Sequence, residues 1–262
     1  MAGVLTSNGY VLDERRVGEL RVVPAAERGD LLGLRERLAR DGYLFLTGLL
    51  DRAVVEEFRE YYFGLIGAVA DKASYRKVLF EQIVPGDEYA SFCRQLKGWF
   101  GWFLGGEPFL HKRKIIRQTA PGENGIGTAT QAHYDLVYLR EGSDQVLSAW
   151  IPLGDCPVSQ GGLTYLEGSH HRVLAEEAAG RLKRPAASMT ADLPGLAEEY
   201  DANWLVADYR AGDVVVHTAH TVHAALDNVS EDMRLSTDIR YQRADDAIDA
   251  RWQHHWHDRD GL

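Results

Sequence analysis

Cysteine is scarce. Cys93 and Cys156 are the only two in 262 residues, too few for a disulfide scaffold or a cysteine-based zinc site. No window approaches 18 uninterrupted apolar residues, so no membrane span is expected. Residues 1–10 lack a basic stretch followed by an apolar run, so no signal peptide is expected. Basic charge is in deficit, with 29 Lys and Arg against 39 Asp and Glu, which argues against nucleic acid as the main partner. These absences lead to the expectation of a cytoplasmic, reduced protein that acts on a small molecule.

The chain has enough residues for a sizeable core without a metal or disulfide staple. It shows no internal repeat and no low-complexity linker. Asp30 reads as the cap of an amphipathic helix carrying Leu31, Leu34 and Leu38 and ending near Gly42. A short strand is expected at Tyr43–Leu46, then a second helix capped by Asp51, with Val55, Phe58 and Tyr62 at helical spacing. A third helix is expected over 89–104, with its aromatics from Trp99 to Phe103 as core or pocket wall.

From Lys112 onward, short apolar segments alternate with Gly, Pro, Asn and Asp turns, the texture of a β-barrel or sandwich. Strands are expected at 204–206, 214–216 and 235–241. The basic run from Lys112 to Arg117 reads as an exposed strand edge, and residues 254–257 as a solvated tail. The whole reads as one α+β, mainly β domain over 1–262. Its helical part covers about 28–105, a jelly-roll barrel about 112–242, and a partly helical insertion or lid about 174–199.

The chemistry centres on His133-Tyr134-Asp135. In a strand, residues i and i+2 face the same way, so the two side chains could chelate one ion. Two imidazoles and one carboxylate can cap one face of Fe(II) and leave open positions. The later histidines His217, His220 and His223 follow the Gly212-Asp213 turn, and Arg234 comes next. Period-two alternation puts His217 and His223 on one face and His220 on the other, and leaves the choice between His217 and His223 open.

These stretches resemble the phytanoyl-CoA dioxygenase family of Fe(II)- and 2-oxoglutarate-dependent oxygenases. The resemblance is carried by Asp41-Gly42-Tyr43 running to Leu50, Gln131-Ala132-His133-Tyr134-Asp135 and Trp150-Ile151-Pro152-Leu153-Gly154-Asp155. Gly161-Gly162-Leu163, Glu167-Gly168-Ser169-His170, Gly212-Asp213, His223, Asn228 and Arg234-Leu235-Ser236 complete it. It spans roughly 35 to 242 and implies a double-stranded β-helix, or jelly roll, with N-terminal helices packed on it. It also implies His133, Asp135 and His223 as catalytic Fe(II) ligands. Arg234 and Ser236 would hold the distal carboxylate of 2-oxoglutarate, with Trp150 and Gln118 nearby, and O2 would be the oxidant. The Ser169-His170-His171 segment would be a turn.

The implied activity is oxidation of a C–H bond of a small organic substrate, a natural product or free metabolite, with release of succinate and CO2. Hydroxylation is the default, with desaturation, cyclisation or epimerisation as variants. A carboxylate at Asp135 argues against halogenation. Two alternatives stand beside this reading: a metal-dependent isomerase or lyase of the same barrel, and a non-catalytic small-molecule-binding jelly roll.

Overall fold

The computed structural model describes residues 4–67, 69, 71–122, 125–139, 141–182 and 188–257. Its strands are β1 (Thr6–Ser7), β2 (Tyr10–Val11), β3 (Val17–Glu19), β4 (Tyr43–Leu46), β5 (Pro108–Leu110) and β6 (Ile115–Thr119). They continue with β7 (Leu147–Pro152), β8 (Leu163–Leu166), β9 (Trp204–Val206), β10 (Val214–Thr218), β11 (His223–Ala225) and β12 (Arg234–Arg243). The helices are α1 (Leu31–Asp41), α2 (Arg52–Ile66), α3 (Lys72–Val78), α4 (Asp87–Arg94), α5 (Lys97–Leu104), α6 (Ser169–Ala178) and α7 (Leu193–Tyr200).

The helix caps work as the sequence suggests. Asp30 accepts from the Gly33 amide at the start of α1, and the helix stops at Gly42, whose φ of 79° is left-handed. Asp51 caps α2 through the Ala53 amide. The expected third helix is two, α4 and α5, parted at Gln95 and Leu96. Helix α3 and the π-helical turn Leu79–Ile83 were not read from the sequence. The segment Ser169-His170-His171, expected as a turn, is the first turn of α6.

A larger sheet runs β4-β10-β7-β12-β5, with β6 also on β12, and a smaller one runs β11-β8-β9-β3. The two face one another as a jelly roll; they do not close into one hydrogen-bonded barrel. Alternation sorts each strand of the larger sheet. In β7, Leu147, Ala149 and Ile151 join the helices in one core, together with Phe58, Tyr62, Phe100 and Phe103. The intervening Trp150 lies between the sheets, with Tyr43, Phe45, Tyr165, Tyr209 and Val215. Strand β12 sorts likewise, with Leu235, Ile239 and Tyr241 toward the helices, so Arg234, Ser236, Asp238 and Arg240 point inward. A further core covers the outside of the smaller sheet, where α7 packs with Trp204 and Trp252.

The basic run is not a uniform exposed edge. Arg113 and Lys114 are buried, because each lies over an aromatic ring, Trp252 and Tyr89 respectively. Of the insertion, residues 183–187 lie outside the described residues. Its returning arm is tied down: Met189 N donates to Ala132 O at 2.7 Å, and Ala132 N to Thr190 O at 2.9 Å. Among the described residues no helix is long and apolar enough to cross a membrane.

Candidate metal and cosubstrate site

His133 and His223 meet through a reciprocal backbone bridge, His133 N to His223 O at 3.0 Å and His223 N to His133 O at 2.9 Å. This joins the H-x-D segment to the edge of the smaller sheet at β11. Tyr134 is extended, but Asp135 already opens a 3-10 turn, Asp135–Val137. The two side chains therefore converge across the end of an extended segment, not along a regular strand. His133 Nε2 and Asp135 Oδ1 are 3.8 Å apart. One ligand-capable atom from each of His133, Asp135 and His223 falls within 4.8 Å of the other two, an arrangement able to hold one metal ion.

The imidazoles are oriented by their own backbone. His133 Nδ1 donates to Gln131 O at 2.9 Å, and His223 Nδ1 donates to Thr221 O at 3.0 Å. Each acceptor is a carbonyl two residues upstream, so Nδ1 carries the proton and Nε2 keeps its lone pair for a metal. Burial pushes both histidines below their ordinary pKa; for His223 the neighbouring His133 and His217 push further the same way, while for His133 the Asp135 charge opposes. Both are thus kept neutral, as ligands must be.

Asp135 is fully buried, which by itself would raise its pKa. The Arg240 charge, helped by His217 and His223, outweighs burial and holds the carboxyl well below the usual range. Arg240 forms a fork on it, Nη2 to Oδ1 at 2.9 Å and Nε to Oδ2 at 3.2 Å, and Ser148 Oγ donates to Oδ2. His217 also reaches this space, with Nε2 3.8 Å from Asp135 Oδ2 and Nδ1 3.3 Å from Tyr165 Oη. His217 and His223 share the interior for a different reason from simple alternation. They lie on β10 and β11, in different sheets, because the chain turns between them. His220 sits in that turn and hydrogen-bonds Glu177 at 2.7 Å, outside the set formed by His133, Asp135 and His223.

Arg234 opens β12 at the other end of the interior. Its Nη2 donates to Thr119 Oγ1 at 2.7 Å and its Nη1 to Gly161 O. Gly161 must be glycine here: its φ is 77°, and a Cβ would come 2.5 Å from Leu226 O. Arg234 Nε and Ser236 Oγ are buried polar atoms without a partner among the described residues, as a site awaiting a carboxylate would have. A cleft of about 590 Å³ opens beside Arg234, lined also by Arg117, Thr119, Thr128, Tyr75 and Phe80. Trp150 is buried between the sheets and meets Tyr209 edge-on at 4.6 Å. Gln118 lines the same cleft from the helix-packed side of β6, where its amide oxygen accepts from Tyr62 Oη at 2.9 Å.

The interior thus brings together His133, Asp135 and His223 at one end and Arg234 and Ser236 at the other. Reading the sequence missed Ser148 and Arg240. Arg240 was detectable in principle, since it lies six residues from Arg234 on one strand and so shares its face.

A family model described as phytanoyl-CoA dioxygenase matches residues 7–236. Among solved structures, the chain is similar to the non-haem alpha-ketoglutarate-dependent carbocyclase SnoK from nogalamycin biosynthesis. They share 23% identity at a TM-score of 0.60, over 86% of this chain and 85% of that one. It is similar to the epimerase SnoN in complex with Fe3+, alpha-ketoglutarate and nogalamycin RO, at 24% identity and a TM-score of 0.53, over 82% and 84%. It is also similar to EvdO2 from Micromonospora carbonacea var. aurantiaca complexed with 2-oxoglutarate, at 18% identity and a TM-score of 0.55, over 91% and 100%. These likenesses establish the shared fold. The family match establishes more: the chain belongs to the phytanoyl-CoA dioxygenase family and is a non-haem iron- and 2-oxoglutarate-dependent oxidoreductase.

Proposed function

We propose that this member of the phytanoyl-CoA dioxygenase family oxidises a C–H bond of a small organic substrate, with hydroxylation as the default outcome. In this reading His133, Asp135 and His223 hold Fe(II), and Arg234 with Ser236 holds the far carboxylate of 2-oxoglutarate. The observation that carries it is the convergence of one ring nitrogen from each histidine and one carboxylate oxygen within 4.8 Å, with both Nδ1–H groups tied to backbone carbonyls. The bound iron would supply the reaction of O2 with 2-oxoglutarate that gives succinate, CO2 and the oxidising power for the substrate.

The protein's own share is orientation and exclusion of water. The bridge between His133 and His223 sets the spacing of the imidazoles. Buried Trp150 and Tyr165 wall the interior, where low polarity strengthens the Arg234–carboxylate attraction. Gln118, whose amide oxygen is engaged by Tyr62, borders the cleft beside Arg234. We assign all of this to one jelly-roll domain working in a reducing cytoplasm.

SnoK and SnoN are described as acting in nogalamycin biosynthesis, which supports a natural product as the substrate class. Their description as carbocyclase and epimerase also favours ring closure or epimerisation as a second outcome at the same site. The deciding experiment is a substrate screen with Fe(II), ascorbate and 2-oxoglutarate, read by succinate release and product mass. A product 16 Da heavier marks hydroxylation; one 2 Da lighter marks cyclisation or desaturation; one of unchanged mass formed with succinate marks epimerisation. Conversion without any succinate would overturn the reading in favour of an isomerase or lyase.

A further inference from the structure

The family match ends at residue 236, yet Arg240, which forks Asp135, lies beyond it. We propose that Arg240, clamped by Trp252 in the C-terminal turn, is a positioning residue that selects which Asp135 oxygen faces the metal. This rests on the metal-site reading above and adds a residue set to it.

The hydrogen bonds divide the two oxygens. Oδ2 accepts from Arg240 Nε at 3.2 Å and from Ser148 Oγ. Among the described residues Oδ1 accepts from Arg240 Nη2 alone, at 2.9 Å, and it faces His133 Nε2 at 3.8 Å, whereas Oδ2 faces His217 Nε2 at 3.8 Å. An ionised carboxylate oxygen has about two acceptor sites. Oδ2 is therefore filled, and Oδ1 keeps one lone pair on the imidazole side. The planar fork fixes the carboxylate in that orientation, which a point charge would not do.

Arg240 needs its own support, since a buried cation is costly unless its surroundings hold it. Its guanidinium lies 4.5 Å from the centroid of the buried Trp252 ring. Trp252 sits in the 3-10 turn Ala250–Gln253, capped by Asp249. That turn is buckled to the loop that follows H-x-D. Asp249 Oδ2 accepts from Glu141 N at 3.3 Å, Arg251 Nη2 donates to Tyr138 O at 3.1 Å, and Ser143 N donates to Ala247 O at 2.7 Å. Gly142 leaves no room between them, since a Cβ there would fall 2.7 Å from Asp249 N. The turn, Arg240 and the Asp135 loop thus form one connected unit, whereas the histidines after it, His254, His255 and His257, are exposed.

The test is calorimetric titration of the metal-free, full-length protein with Co(II), alongside circular dichroism and the Co(II) absorption spectrum. Removal of a group that orients a metal ligand costs roughly 10- to 100-fold in metal affinity. Arg240→Gln is expected in that range with an altered Co(II) spectrum, and Arg240→Lys in between. Trp252→Leu, which touches no proposed ligand, is expected to weaken Co(II) by roughly two- to tenfold, at the shallow end of the same scale. If Arg240→Gln is folded and binds Co(II) as wild type does, the proposal is overturned and Arg240 is only a structural ion pair. If Arg240→Gln does not fold, Trp252→Leu decides: unchanged affinity overturns the proposal and weakened affinity supports it. A wild type that binds no Co(II), or a His223→Ala variant that binds it equally well, overturns the metal-site reading itself.

Discussion

The two ends of the interior are prepared in opposite ways. At the proposed metal end the three candidate ligands are already aimed: His133 and His223 each have Nδ1–H tied to a carbonyl two residues upstream, and Asp135 is forked by Arg240. At the carboxylate end, Arg234 spends two nitrogens on Gly161 O and Thr119 Oγ1, while its Nε and the Ser236 hydroxyl stay unmatched. The candidate ligands are set by short-range backbone geometry and the Arg240 fork, and the unmatched atoms there, His217 Nε2 and Arg240 Nη1, belong to their neighbours. The carboxylate end is left incomplete, and a ligand carboxylate would satisfy what the protein does not. Such polar atoms cost stability when buried alone, so their retention points to binding.

The largest effects should appear where preparation is complete. His133→Ala, Asp135→Ala and His223→Ala are each expected to abolish Fe(II)-dependent turnover while circular dichroism shows an intact fold. His217→Ala is expected to be milder, because His217 borders Asp135 but is not in the set that converges within 4.8 Å. Activity in His223→Ala combined with loss in His217→Ala would move the third ligand to β10.

Arg234→Ala tests the other end. Truncating one member of a buried charge pair costs about 2–5 kcal/mol, or roughly 30- to several-thousand-fold in affinity. Titration with 2-oxoglutarate should show that loss, and titration with Co(II) should show none. Arg234→Lys should fall between. Equal 2-oxoglutarate affinities would make Arg234 a structural residue, held by Gly161 and Thr119 alone.

The same contrast explains what could be read from the chain. While the choice of His223 over His217 came from the family resemblance, His133 and Asp135 were legible as a candidate pair because H-x-D is local and turn signals surround it. The helix caps at Asp30 and Asp51 were legible for the same reason. The inward face of Arg240 follows from its spacing to Arg234, but its role does not, since that depends on the pairing of β12 with β7, which sets Arg240 opposite Ser148. Gln118 was placed by resemblance with Arg234 and Ser236. Alternation along β6 instead turns it to the helices, where Tyr62 waits. The split of 89–104 into α4 and α5 has no breaker residue to announce it, since Gln95 and Leu96 both favour helix. In each case the missing information was register or tertiary packing, not residue type.

Proton competition gives the next effect in size. His133 and His223 both have pKa values pushed below 6.5. They stay neutral in the folded protein at pH values where the unfolded chain takes up protons. The stability of the metal-free protein should therefore decline as pH falls below about 6.5, while metal binding persists. Two ordinary imidazoles would cost roughly 15-fold in metal affinity between pH 7.5 and 6.0. Here both values are pushed down, so the Co(II) affinity should fall by less than that over the interval. A full 15-fold loss would mean that the ligands are not shielded as their burial implies.

The smallest change of side chain is the sharpest probe of incompleteness. Ser236 Oγ is buried and unpartnered, so Ser236→Ala removes an unsatisfied group and adds only a small void. In the protein without cosubstrate, that change should raise stability by about 1 kcal/mol, seen as a melting temperature about 2–4 °C higher. With cosubstrate the sign should reverse. A hydroxyl donating to a charged carboxylate is worth about 1.5–3 kcal/mol, so 2-oxoglutarate affinity should drop by roughly tenfold or more. The paired measurement matters because a purely structural serine cannot give it: loss of a structural hydrogen bond would lower the melting temperature and leave the affinity alone. A lower melting temperature with unchanged 2-oxoglutarate binding would show that the carboxylate end is as complete as the metal end, and the difference between them would collapse.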